Sequence, residues 1–337
     1  MHRCLENFAK VSNGRKDHSD LRIRHTVDRS FFWALVTRYL HTRSSLAVLC
    51  LSALGSAGDA PATSPAQLAF ATTDEQDFKR MGKPRKGDWL ARFRERGQTY
   101  RRYVGSQPVR AQAGERLAFL PVGPFGPIQQ GVFKKTVAFA KIWFDLDVHV
   151  VEGKPLPESG WHRQRAWGKQ YETRYFLDHL LPHHMPRNTV CFFAVTIADL
   201  YPEAGWNYVF GEASLRRRVG VWSLARYFPQ FWRQEPTPER MRRALLRACK
   251  VVVHEAGHAF GLEHCIYFQC NMNGSNSLEE ADRQPLRLCP VCLKKLQWNR
   301  GFDVLKRYDR LLAFFKEHGL QPEAEWTAAR LQRIRTK

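Results

Sequence analysis

Acidic side chains are scarce in this 337-residue chain: 32 Asp and Glu face 53 Lys and Arg, a formal net charge of +21 at pH 7. That balance excludes a strongly acidic surface and permits attraction to nucleic acid, anionic lipid or acidic substrates. Part of the excess is local. Between Lys79 and Arg102 stand Lys79, Arg80, Lys83, Arg85, Lys86, Arg92, Arg94, Arg96, Arg101 and Arg102, against only Asp88 and Glu95. Such a run reads first as a solvated linker, with an anionic surface contact as the sharper alternative. Long apolar runs are missing too: the candidate stretch after Ser45 is too short for a membrane-spanning helix, which needs about 20 apolar residues. There is no internal repeat, which excludes a solenoid. Of eight cysteines, Cys4, Cys50, Cys191 and Cys249 are scattered with no pairing pattern, so cysteine usage points to metal more than to a disulfide framework.

Residues 1–60 read as an N-terminal extension. From about residue 36 a short basic segment, an apolar stretch and small residues follow in the order of a secretory signal. Translation from a non-Met start near Val36 or Leu40 would make residues 36–60 a signal peptide and the protein periplasmic or extracellular. Otherwise 1–60 is a disordered or core-helical extension, and a cytoplasmic protein is expected. Residues 61–112 are expected as linker and basic segment, 113–325 as the folded domain and 326–337 as a basic tail. Within the domain, strands are expected at Leu117–Gly123, Val148–Val151, Thr189–Ile197, Tyr208–Ala213 and Val219–Tyr227. Helical spacing covers Ile128–Asp145 and Tyr171–Leu181. Strands mixed with helices make the fold class α/β (α+β).

The chemistry concentrates in one stretch. His254 and His258 are four residues apart, one helical face and about 6 Å along the axis, so two imidazole nitrogens can reach one metal. Glu255 stands next to the first ligand, placed to hold a metal-bound water. Gly261 permits a sharp turn at positive φ, which returns His264 as a third ligand. Three protein ligands leave the fourth position of tetrahedral zinc to water, the arrangement of a catalytic site. The helix carrying the pair starts at Thr237, an N-cap residue, with Pro238 in the first position. Met241, Leu245, Ala248, Val252, Ala256 and Ala259 form one apolar stripe, with His254 and His258 on roughly the opposite side.

Cys265 and Cys270, then Cys289 and Cys292, make two thiol pairs that can close a tetrahedral structural zinc. Two disulfides or free thiols are the competing readings. Met272, after the three histidines and before the turn signal Asn273-Gly274, stands where metzincins place their Met-turn. Ser277 and Glu280 have capping-box spacing for a short helix ending near Pro285, and a C-terminal helix begins near Pro290.

These residues together resemble the archaemetzincin family: His254-Glu-x-x-His-x-x-Gly-x-x-His264-Cys265, then Cys270-x-Met272, then Cys289-x-x-Cys292. Asp199-Leu-Tyr, Asn207 to Gly211 and Ser223 to Arg226 are similar to the family's strand signatures, and the likeness covers about residues 115–325. The resemblance implies a metzincin-like zinc metallopeptidase: a twisted mixed sheet with helices above an active-site helix, a small C-terminal subdomain after Gly261, and a cleft between. It implies catalytic zinc on His254, His258 and His264, structural zinc on the four cysteines, and peptidase activity of an aminopeptidase-like kind. The expected mechanism is attack by a zinc-bound water activated by Glu255, on a peptide or protein aligned along the strand near Tyr208 to Ser214. A monomer is expected, and no specific nucleic acid. The competing reading is a zinc-stabilised binding protein with a vestigial centre, contacting nucleic acid or anionic partners through its basic surface.

Overall fold

The computed structural model describes residues 62–214 and 216–337; the extension and signal-like segment expected at 1–60 lie outside them. Among the described residues the strands are β1 (Arg116–Val122), β2 (Val148–Val150), β3 (His162–Arg165), β4 (Gly168–Glu172), β5 (Thr189–Thr196), β6 (Asp199–Tyr201), β7 (Gly211–Ser214) and β8 (Val219–Ser223). Five form a sheet in the order β2-β1-β5-β8-β7, parallel except for β7, which is antiparallel and lies at one edge. The small sheet β3-β4-β6 is separate. β5 is buried at every position. A parallel strand covered on both faces has no solvent side, which is why its sequence is an unbroken apolar run.

Alternation along the strands sorts the two faces. Leu117 and Phe119 of β1 and Phe193 of β5 share a core with the helices Pro127–Phe144 and Pro238–Ala259, which pack against each other. Ala118, Leu120, Phe192 and Ala194 face the other way, under Phe176, Leu177, Leu180 and Leu181. The helical stretch expected at Tyr171–Leu181 is displaced. Tyr171 belongs to β4, a π-turn spans Tyr175–Leu180, and Leu181–His184 continues past Pro182.

Two of the sequence signatures meet in a buried ion pair that ties the sheets together. Asp199 of β6 takes two bonds from the Arg226 guanidinium, 2.7 and 2.8 Å, and two more from Gln170 and Trp167 at 2.7 and 3.0 Å. Arg226 also lies 3.5 Å from the Tyr208 ring centre. Its inward turn ends the strand expected to run to Tyr227, so β8 stops at Ser223 and Ala225–Tyr227 is a 3₁₀ turn. Ser223 N–H donates to Phe210 O at 2.7 Å and so fixes the entry to edge strand β7.

Residues 62–112 are not a linker. Ser64 caps the helix Pro65–Thr73 with Gln67 completing a capping box, and Phe78, Trp89, Gln98 and Tyr103 are buried. All ten basic residues between Lys79 and Arg102 are exposed: the composition of the run reports its outer face, while its few apolar residues land on the body. Residues 326–337 are not a tail either. The helix Gln321–Arg335 buries Leu331, Ile334 and Arg330, the last 0% exposed. Arg330 is sequestered because it faces Asp74 and Asp77, the latter at 2.9 Å, and Ala71 O at 3.3 Å. A buried pair broken by removing one partner leaves an uncompensated charge. Arg330→Ala is therefore expected to lower stability by about 3 kcal/mol, the low end for such pairs because Arg333 still faces both aspartates. The urea unfolding midpoint measures it; an unchanged midpoint would refute the clamp.

Candidate active site and metal centres

The motif helix Pro238–Ala259 starts where its cap chemistry places it: Thr237 accepts from Arg240 N, and Pro238 occupies the first turn. Leu245, Ala248, Val252, Ala256 and Ala259 are buried in the core, Met241 packs against it, and His254 lines an open cleft with Glu255. After the helix, Gly261 takes φ +82°, and a Cβ there would come within 2.7 Å of Pro108 Cβ. Glycine is required both for conformation and for space. The turn returns His264 to the helix, so that the ligand atoms of His254, His258 and His264 all lie within 4.8 Å of one another.

The other ring nitrogen of each histidine fixes which tautomer is present. His254 Nδ1 faces Asn271 O at 2.8 Å and His258 Nδ1 faces Leu262 O at 2.6 Å. A carbonyl only accepts, so both Nδ1 atoms carry the proton and both Nε2 atoms present a lone pair. His264 Nδ1 faces Glu95 Oε1 at 2.7 Å. The Nε2 atoms of His254 and His258 are 3.0 Å apart. Two lone pairs that close repel each other unless a cation sits between them. Three nitrogens at 2.0–2.1 Å from tetrahedral zinc would be about 3.4 Å apart, so the donor set fits that ion in type, protonation and spacing.

An open cleft lies beside His254. Phe210 and Gly211, at the start of edge strand β7, line it together with Tyr227, Glu255, Ser275 and Leu278. Burial pushes the Tyr227 hydroxyl well above the usual tyrosine range, and the negative charge of Glu255 adds to it. Met272 is fully buried, and its sulfur lies 2.8 Å from where a Cβ on Gly257 would be. The glycine between the two helical histidines thus lets the methionine seat directly against the helix.

The four cysteines form a second cluster immediately behind. Cys265, Cys270, Cys289 and Cys292 are all buried, with their sulfurs within 4.8 Å of one another. Cys265 Sγ and Cys289 Sγ are 3.6 Å apart, far beyond the 2.05 Å or so of a disulfide, and the described cysteines are all free. Four sulfurs 2.3 Å from a tetrahedral zinc would be about 3.8 Å apart. Hydrogen bonds from the other three thiols hold Cys265 below the ordinary thiol range, while burial pushes Cys270 up. Four buried sulfurs this close cannot all ionise without a cation, so this donor set also fits a divalent metal. The Met272–Asn273 turn braces the knuckle. Cys265 N donates to Met272 O at 2.7 Å, Asn273 Nδ2 donates to Cys265 O at 2.6 Å, and Cys270 N donates to Asn273 Oδ1 at 2.7 Å.

The three histidines and the four paired cysteines singled out from sequence each gather in one cluster, Glu255 lines the cleft, and Met272 seats against Gly257. The short helix Leu278–Arg283 is capped by Ser277 as expected, but Glu280 does not return to Ser277; its carboxylate takes Asn276 N and Trp89 N instead. Glu95 is the residue that sequence reasoning passed over. It counts only as a minority acid in a basic run, and no local pattern links it to a histidine 169 positions away.

The sequence model of Peptidase family M54 matches residues 178–298. The chain is 33% identical over 264 residues to Archaemetzincin-2 of Pongo abelii, covering 68% of this chain and 72% of that protein. It is 31% identical over 265 residues to Archaemetzincin-2 of Rattus norvegicus, covering 69% and 73%. Matches to other archaemetzincin-2 proteins are shorter, as in Macaca fascicularis, where 43% of the relative is spanned. Among solved structures, the archaemetzincin of Methanopyrus kandleri is 31% identical, with 57% of this chain and 99% of that one aligned and a TM-score of 0.44. For the cysteine cluster, Cys289→Ser is expected to lower zinc content by one equivalent and stability by several kcal/mol, because the binding energy of a structural zinc, about 10–16 kcal/mol in peptides, is folding energy. Elemental analysis and thermal unfolding check it; full zinc content at unchanged stability would contradict the site.

Proposed function

This chain belongs to the archaemetzincins, a family of zinc metallopeptidases, and from that premise we propose that it hydrolyses peptide bonds in the cleft beside His254, with Glu255 as the proton-transferring base. The observation that carries the proposal is the convergence of three imidazole donors next to a carboxylate on the wall of an open cleft. His254, His258 and His264 would hold zinc, which when bound would supply Lewis acidity to the scissile carbonyl and lower the pKa of water to about 7. Glu255 takes the proton of the attacking water and delivers it to the leaving amine. Tyr227, kept neutral by burial and by the charge of Glu255, lines the same cleft. An extended substrate would align along edge strand β7 as a further strand; the position of Phe210 and Gly211 in the lining of the cleft supports this.

The finer assignments belong to the same proposal. Met272 seated under Gly257, and the change of direction at Gly261, support a metzincin-like arrangement with the small subdomain after that turn. A second, structural zinc on the four cysteines is supported by their spacing and burial. Aminopeptidase-like action rests on the family likeness. A contact with anionic surfaces is a second reading, favoured by the ten exposed basic side chains between Lys79 and Arg102.

Glu255→Ala decides the central assignment. The variant is expected to keep its zinc and lose about 10²–10⁴-fold in hydrolysis of a peptide library read by mass spectrometry. Hydrolysis that survives at the wild-type rate would remove Glu255 from the base role. In the same library, cleavage confined to peptides with free amino termini supports aminopeptidase action; equal cleavage of acetylated peptides excludes it.

A further inference from the structure

Three residues of the turn after the motif helix, Phe260, Gly261 and Glu263, and the third histidine itself are held by one segment from far upstream. Tyr103 hydroxyl donates to Phe260 O at 2.9 Å. Gln98, itself buried, donates to Gly261 O at 3.0 Å and accepts from Glu263 N at 3.2 Å and from Lys295 Nζ at 3.1 Å. Glu95 Oε1 meets His264 Nδ1 at 2.7 Å and Trp89 Nε1 at 2.8 Å. Trp89 packs edge-to-face on the His264 ring, 5.2 Å between centres, and sits so close to Gly274 that a Cβ there would fall 2.5 Å from its indole. Its backbone N–H is held in turn by Glu280 at 2.9 and 3.0 Å.

The chemistry of this chain of contacts has one direction. Indole Nε1–H is only a donor, so Glu95 Oε1 is already an acceptor when His264 reaches it. His264 Nδ1 must therefore carry the proton, which leaves its Nε2 lone pair aimed at the same point as those of His254 and His258. A purely structural role fits Glu95 poorly: its other oxygen is buried with no hydrogen bond, an arrangement that costs free energy and that an apolar side chain would not incur.

We propose that Glu95 is a positioning residue of the hydrolytic site, fixing the tautomer and orientation of His264, and that the segment 89–103 is a built-in wall of the metal centre. It lies outside the residues matched by the family model, 178–298. The proposal rests on the reading of the three histidines as a metal site. A carboxylate behind a metal-bound imidazole raises its basicity and locks its ring, and such partners change metal affinity by about 10–100-fold.

The test uses the full-length protein and its Glu95→Ala, Glu95→Gln and His264→Ala variants. Three quantities are read: zinc affinity by competition with a chelator, the visible spectrum after cobalt substitution, and the kcat and KM of hydrolysis. Glu95→Ala is expected to weaken one of the two zinc sites by about 10–100-fold, shift the cobalt bands, and lower kcat with KM little changed. Glu95→Gln keeps an acceptor opposite Nδ1 and is expected to recover most of the affinity. Wild-type affinity and spectrum in Glu95→Ala would overturn the proposal, as would a loss that Gln fails to repair and that only tracks the unfolding midpoint. Should the alanine variant not fold, Glu95→Asp withdraws the carboxylate by one methylene, and wild-type affinity and spectrum there would overturn it equally. His264→Ala separates the two levels: if it too leaves metal binding and spectrum unchanged, the three-histidine reading itself has failed.

Discussion

Three imidazoles can share a cation only if each is neutral, protonated on the far nitrogen and held at a fixed angle, and an isolated side chain meets none of these conditions by itself. In this molecule the far nitrogens of His254, His258 and His264 face Asn271 O, Leu262 O and the Glu95 carboxylate. The three acceptors come from three different parts of the chain: the turn before Met272, the turn after Gly261, and the segment before the first strand. Placing them together is what the surrounding architecture achieves. The central sheet buries the apolar stripe of the motif helix and sets its angle. The knot of Asp199 and Arg226 holds the small sheet and the edge strand beside it, and the pairing of Arg330 with Asp74 and Asp77 anchors the upstream segment to the C-terminal helix.

The cysteine cluster extends the same constraint. His264 and Cys265 are consecutive, so one peptide unit joins the two donor sets. The bonds from Asn273 and Met272 to that knuckle leave it little freedom to relax. Met272 occupies the space that the missing side chain of Gly257 leaves open, so the turn that braces the thiols also touches the helix between its two histidines. Disturbing the sulfurs is therefore expected to move His264 as well, because the two donor sets share one peptide unit and one braced turn.

Much of this was legible in sequence because it is local. The cap at Thr237, the turn at Gly261, the helical spacing of His254 and His258, and the paired cysteines each express themselves within a few residues, and β5 announces its burial as a continuous apolar run. What escaped is non-local. Glu95 is one acid in a basic run, and its partner is 169 residues away. Arg330 adds to a basic count near the C terminus, yet it is enclosed because two aspartates some 250 residues earlier meet it. Composition describes what a segment shows to solvent and says little about the few residues it turns inward. That is why residues 61–112 read as a linker although Phe78, Trp89, Gln98 and Tyr103 of that stretch are buried. Strand ends fail for a related reason: Arg226 leaves β8 to reach Asp199, a contact no periodicity encodes.

The measurement that bears most directly on the central claim is anomalous diffraction at the zinc edge from crystals of the full-length protein. Two peaks per chain are expected, one within 2.0–2.1 Å or so of Nε2 of His254, His258 and His264, the other about 2.3 Å from the four cysteine sulfurs. A zinc bound through any Nδ1, or a peak at the cysteines with none among the histidines, would contradict the account.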